Sequence, residues 1–161
     1  MDKELDEKAL LLQGKKRALR LLERRDYSRK ELVERLKKDG YEEDIIEKII
    51  DYVDGFHYLD DLRVAGSFIR GKKEYKSKRE LEFLLKQKGI SEEEIENALL
   101  ENYKNEEGVS QEEIVIKKWL VKYHAEEEKI LQMTLEEKQK VAAKLYRKGF
   151  ASEKIRKLLQ M

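Results

Sequence analysis

The sequence predicts an all-α protein, and three observations carry that prediction. One helix–turn–helix pattern occurs three times with identical internal spacing. Five Ser or Thr residues stand three positions before a Glu at the head of apolar-periodic stretches, the arrangement of a helix-starting capping box. Proline and cysteine are absent from 161 residues of which 44% are charged, and no stretch alternates with the period of a strand.

The repeated skeleton is an apolar residue, three spacers, Leu, three spacers, Gly, an apolar or aromatic residue, four spacers, Ile, three spacers, and Ile or Leu. In the middle copy these are Leu81, Leu85, Gly89, Ile90, Ile95 and Leu99. Upstream they are Leu32, Leu36, Gly40, Tyr41, Ile46 and Ile50, and downstream Val141, Leu145, Gly149, Phe150, Ile155 and Leu159. Eighteen positions agree without an internal gap, the mark of a repeat array. In each copy two apolar residues four apart share one helical face. Glycine then stands where a helix C-terminus takes a left-handed residue, a conformation open to Gly because it has no Cβ.

In chain order, residues 1–14 are a charged lead-in with Leu5, Ala9 and Leu12 at helical spacing. They form either a fraying helix or one that runs into the next. From Lys15 a helix turns Ala18, Leu21 and Leu22 inward and Arg17, Arg20 and Arg24 outward. Ser28 with Glu31 starts a second helix that ends at Gly40, and a third buries Ile45, Ile46, Ile49, Ile50 and Val53. The first repeat therefore has three helices, over residues 15–59. Asp60 or Asp61 caps the next helix, which places Leu62, Ala65, Phe68 and Ile69 on one face. Ser77 with Glu80 and Ser91 with Glu94 start the other two helices of a second repeat over residues 60–105. Ser110 with Glu113 opens a third repeat, residues 106–161, in which Ile114, Val115, Trp119, Leu120 and Tyr123 line a helix with room to continue through Glu128. Thr134 with Glu137 caps the helix that Gly149 closes. Glycine spacings of 49 and 60 residues place an insertion near residues 124–134.

Net charge is +1, yet the charge is banded. Residues 15–38 hold eleven Lys or Arg against four acids, and residues 39–61 hold one against nine. Residues 62–88 hold nine against three, and residues 89–113 one against nine. Acids at helix starts and bases at helix ends account for part of this. The remainder is either a solvated face or a binding surface.

The chemistry of catalysis is poorly supplied. The two histidines, His57 and His124, lie in different repeats, there is no thiol, and the serines stand where capping explains them. Asp60 and Asp61 read as caps rather than a metal site, and the eight glycines form no phosphate loop. No enzyme activity, cofactor or metal is expected. With no run of apolar residues long enough to span a bilayer and no signal segment, the expected compartment is the cytoplasm. A direct DNA-binding helical module is one reading, because basic helices carry Tyr27 and Tyr75 among their charges. Neutral net charge and the acidic bands stand against it.

The stretch ALRLLERRDYSRKELVERLKKDGY resembles the first repeat of the bacterial RecX regulatory proteins. YLDDLRVAGSFI followed by ELEFLLKQKGI resembles their second repeat, and KLYRKGFASEKIRKLL their closing segment, so the resemblance covers residues 18–160 in order. It departs at Val64, where the family commonly has an aromatic, and at Gly71 to Lys76, where KKEYK replaces a Gly- and Arg-rich loop. The resemblance implies three tandem three-helix repeats in an elongated, curved array, and a monomer. It also implies a partner, the RecA filament on single-stranded DNA, whose recombination, ATPase and SOS coprotease activities the family restrains in DNA repair, together with a weak direct contact to DNA. The candidate partner-binding residues are Arg24, Arg25, Arg70, Lys72 and Lys73.

Overall fold

In a computed structural model the chain is all-helical across the described residues, 2–161, with no strand among them. The order is α1 (Asp2–Arg24), α2 (Arg29–Lys38), α3 (Glu43–Asp54), α4 (Asp61–Lys72), α5 (Lys78–Gln87), α6 (Glu92–Asn102), α7 (Gln111–Lys122), α8 (Glu127–Ile130), α9 (Leu135–Arg147) and α10 (Ser152–Leu159). The lead-in is continuous with the helix after it, since α1 runs unbroken from Asp2 to Arg24. Near its start Leu5, Leu10 and Leu12 are exposed, while Leu11 packs at the edge of the core.

The chain forms two compact units, one of Met1–Ala65 with Leu85–Ile95 and one of Gly66–Leu84 with Glu96–Met161. In the first, α1, α2 and α3 enclose Ala18, Leu21, Leu32, Leu36, Ile46, Ile49 and Val53. Helices α1 and α3 approach closely at Gly14, where an added Cβ would lie 2.3 Å from Ile49 Cδ1. In the second unit Val115, Ile116 and Leu120 of α7 pack with Val141 and Leu145 of α9, Ile155 and Leu159 of α10, and Ile130 of α8.

Several helix ends follow one rule. Gly40, Gly89 and Gly149 have φ of +98°, +81° and +93°. The amide of the next residue donates back to the carbonyl five positions earlier: Tyr41 to Leu36, Ile90 to Leu85, and Phe150 to Leu145. Three further ends close in the same way without glycine, one of them at Gln160 (φ +57°), after which the Met161 N–H reaches the Arg156 carbonyl. His57 (φ +59°) precedes Tyr58, whose N–H reaches the Val53 carbonyl, and His124 (φ +58°) precedes Ala125, whose N–H reaches that of Leu120.

Several expectations are corrected. Leu62 is 39% exposed, and Val64 at 5% takes its place beside Ala65 and Ile69 on the buried face of α4. Helix α7 does not continue through Glu128, because left-handed His124 ends it and a separate short helix, α8, follows. Ile116 is fully buried on α7, whereas Ile114 is only half-buried. All five Ser or Thr caps accept the expected N–H of the Glu three residues on. The return bond to the cap's own backbone N–H forms at Ser28, where Glu31 Oε1 accepts it at 3.0 Å. Glu80 and Glu113 instead turn to Lys76 and Lys157, and Glu94 meets the Ser91 hydroxyl. Of the two aspartates at the start of α4, Asp60 is the cap, accepting from the Arg63 N–H at 3.1 Å. Asp61 accepts the Arg29 N–H at the start of α2.

Candidate functional site

The capping serines do more than start helices. Ser28 Oγ accepts the Glu31 N–H and also donates to the Lys88 carbonyl, beside Gly89. Ser77 Oγ accepts the Glu80 N–H and donates to the Lys148 carbonyl, beside Gly149, at 2.7 Å. A hydroxyl supplies one donor and two acceptors, so one buried Ser satisfies an orphan amide of its own helix and an orphan carbonyl of a later one. Both serines are fully buried. Glycine is required at these turns on two counts: φ is positive, and a Cβ on Gly149 would lie 2.7 Å from Ser77 Oγ. Within the first unit the contact is reinforced by Lys88 Nζ, 3.1 Å from the Glu31 carboxylate. Burial pushes the Glu31 carboxyl up, but the Ser28 N–H and the Lys88 ammonium outweigh it and hold the group below the usual carboxylate range.

In the second unit the same latch forms one wall of an open groove of 710 Å³. Its other walls are the segment before α5 and the outer side of α7. Trp119 Nε1–H donates to the Tyr75 carbonyl at 2.9 Å, Lys118 pairs with Glu74, and Gln111 Nε2 donates to the Lys73 carbonyl. The Tyr103 hydroxyl donates to the Lys76 carbonyl, and burial pushes that phenol up in pKa. These bonds to the carbonyls of Lys73, Tyr75 and Lys76 tie down a segment without regular secondary structure. Tyr75, Phe83 and Tyr146 stand on the groove at 67%, 59% and 59% exposure. Arg79, Arg147 and Lys148 share it, and Lys148 lies 3.9 Å from the Trp119 ring centroid.

The five candidate basic residues divide between the two units. Arg24 and Arg25 belong to the first unit, Arg70, Lys72 and Lys73 to the second. Arg25 lies 4.0 Å over the Tyr27 ring and 3.7 Å from Glu31. Tyr27 is thereby covered by a cation rather than turned to a phosphate. Arg70 donates to Asn102 Oδ1 at 2.7 Å and to the Ser67 hydroxyl, and Lys73 to the Lys104 carbonyl at 2.9 Å. Lys72 lies over Phe68. Arg24 is exposed and makes no ion pair among the described residues. The groove aromatics other than Tyr75 escaped the sequence reading, since Phe83 and Tyr146 stand inside amphipathic helices and look like stripe margins.

No group of three or more potential metal-ligating side chains gathers among the described residues, and no helix among them is long and apolar enough to cross a membrane. Helices latched by serine–carbonyl bonds and presenting charged and aromatic surface define an all-helical protein. Comparison narrows the class. The family model for the first three-helix domain of RecX matches residues 15–52, and that for its second three-helix domain matches residues 60–99. "Regulatory protein RecX" of Vibrio campbellii is 41% identical over 92 residues, 56% of this chain and 59% of that protein. That of Prosthecochloris aestuarii is 37% identical over 87 residues, 53% and 58% of the two chains. The chain thus spans little more than half the length of these relatives. A crystal structure of regulatory protein RecX superposes with a TM-score of 0.78 at 23% identity, covering 98% of this chain and 75% of that one. RecX from Lactobacillus salivarius gives 0.73 at 23% identity, covering 93% and 94%. This chain belongs to the RecX family.

Proposed function

We propose that the protein is a regulator that binds the RecA filament on single-stranded DNA and restrains it in the cytoplasm, without chemistry of its own. The observation that carries the proposal is the match of both three-helix domain models, together with relatives named as regulatory proteins. A monomer with repeats over residues 15–59, 60–105 and 106–161, arranged as an elongated array, suits a filament groove spanning more than one subunit. Inhibition then follows from differential affinity: a ligand that prefers one filament conformation shifts the population toward it. Recombination, ATP hydrolysis and the coprotease step of the SOS response would all fall together.

The test is the single-stranded-DNA-dependent ATPase of RecA from the same organism, titrated with this protein. Inhibition well below one molecule per RecA supports action on the growing filament. An unchanged rate across the titration rejects it.

A further inference from the structure

We propose that the outward face of α1, which carries Leu5, Ala9 and Leu12, is a docking surface for a second copy of this chain, the two helices lying antiparallel about a two-fold axis at Ala9. The proposal goes beyond the regulatory reading and does not depend on it. The pairing concerns the free protein, and a copy seated on a filament acts singly.

Three observations carry it. First, α1 is apolar on two opposite sides. Leu11, Gly14, Ala18 and Leu21 form the side turned to the core of the first unit, with Gly14 against Ile49. At 3.6 residues per turn, Leu5, Ala9 and Leu12 form a second stripe about 180° away around the axis. Second, nothing among the described residues covers that stripe: residues 3–10 are all exposed, and Leu5 and Leu12 are 60% and 55% exposed. Third, the helix is charged in blocks. Residues 2–7 hold four acids against one base, and Lys15, Lys16 and Arg17 follow the stripe. Glu4, Asp6, Glu7 and Lys16 make no ion pair among the described residues, whereas Arg17 is taken by Asp39 and Lys15 lies over the Tyr52 ring.

A parallel pair would set acids against acids. An antiparallel pair sets the acidic start of each helix beside the basic continuation of the other, with Glu4 of one copy within reach of Lys16 of the second. It also opposes the two helix dipoles. With Ala9 on the axis, Leu5 of each copy packs beside Leu12 of the other, and the small central side chains let the helices approach closely. The face is thus complementary to itself in apolar pattern and in charge, as a two-fold contact requires. A bilayer surface suits it poorly, because helices that lie on membranes carry Lys and Arg on their polar face and this one begins acidic. Two leucines and an alanine from each copy bury less than the roughly 1,200–2,000 Å² of a stable interface, so the pairing is weak and reversible.

The experiment is sedimentation equilibrium of the full chain between about 10 and 500 µM, where small interfaces associate. The weight-average mass should rise from the 19.3 kDa of one chain toward twice that value. Leu5→Glu with Leu12→Glu should weaken association about tenfold or more, whereas Leu10→Glu, exposed but off the stripe, should leave it within about twofold. All three side chains lie outside the core, and circular dichroism establishes that each variant is folded. Because the chain has no cysteine, orientation is read by single Cys variants under mild oxidation. Ala9→Cys should link to itself. Leu5→Cys should link not to itself but to Leu12→Cys in a mixture of the two, since a disulfide needs Cβ atoms about 4 Å apart. A mass constant at that of one chain overturns the proposal. So does a loss in Leu10→Glu equal to that of the stripe variant, or self-linking of Leu5→Cys as ready as that of Ala9→Cys.

Discussion

His124 shows how one position decides where a helix stops. It stands four residues after Leu120, the offset that separates Gly40 from Leu36, Gly89 from Leu85 and Gly149 from Leu145, and His57 stands likewise after Val53. A left-handed backbone sets the Cβ of an L-residue close to its own carbonyl, at a cost of about 1–2 kcal/mol that Gly avoids. His124→Gly is therefore expected to stabilise the protein by about 0.5–1 kcal/mol after the added freedom of the unfolded chain is subtracted, read as a higher urea midpoint. His124→Ala should give no such gain. The two histidines, which invite a catalytic reading in sequence, are helix stops.

At the level of elements, the stabilising device is the serine that caps one helix and latches the end of another. Ser77→Ala removes a cap and strands the part-buried Lys148 carbonyl, so a loss of about 2 kcal/mol is expected. Thr134→Ala removes an exposed cap with no latch and should cost about 0.5–1 kcal/mol. Equal losses in chemical denaturation would remove the latch from the energetics. Glu31 ties α2 to the Lys88 turn and adds a pH dependence. Because its folded pKa is depressed, its contribution is complete above the unfolded-chain value near 4.3 and fades as pH falls through the folded value. Glu31→Gln should thus cost about 1 kcal/mol at neutral pH, with its stability converging on wild type as the pH drops below about 3. A constant gap across that range would assign the loss to packing instead.

For the molecule as a whole, a net charge of +1 conceals separated bands, and the partner is expected to be read by bands rather than by total charge. In the RecA titration, reversing Arg24, Arg25, Arg70, Lys72 and Lys73 to Glu is expected to move the inhibition curve to higher protein concentration at low salt. Arg70 and Lys73 also bond within the second unit, so a thermal melt belongs beside that assay. An unshifted curve would take these five residues out of the interface.

Most helix boundaries and the three glycine turns were legible in the sequence, because caps, left-handed turns and apolar stripes act within five residues and leave periodic marks. The left-handed histidines were not legible, because no glycine announces them and an apolar stripe through Tyr123 leaves room for a helix through Glu128. Leu62 and Val64 exchanged roles because both fit a stripe on α4, and only the packing partners choose between them. The candidate bases Arg25, Arg70 and Lys73 found local partners whose identity no spacing rule contains. Alone, the sequence determined an all-helical chain and its repeat-by-repeat punctuation, since those are written in local backbone chemistry. Tertiary structure decided which serine meets which carbonyl 60 or 71 residues away, and that Tyr75, Phe83 and Tyr146 share one groove with unpaired arginines. Such contacts depend on how helices pack, and packing is a property of many distant side chains at once.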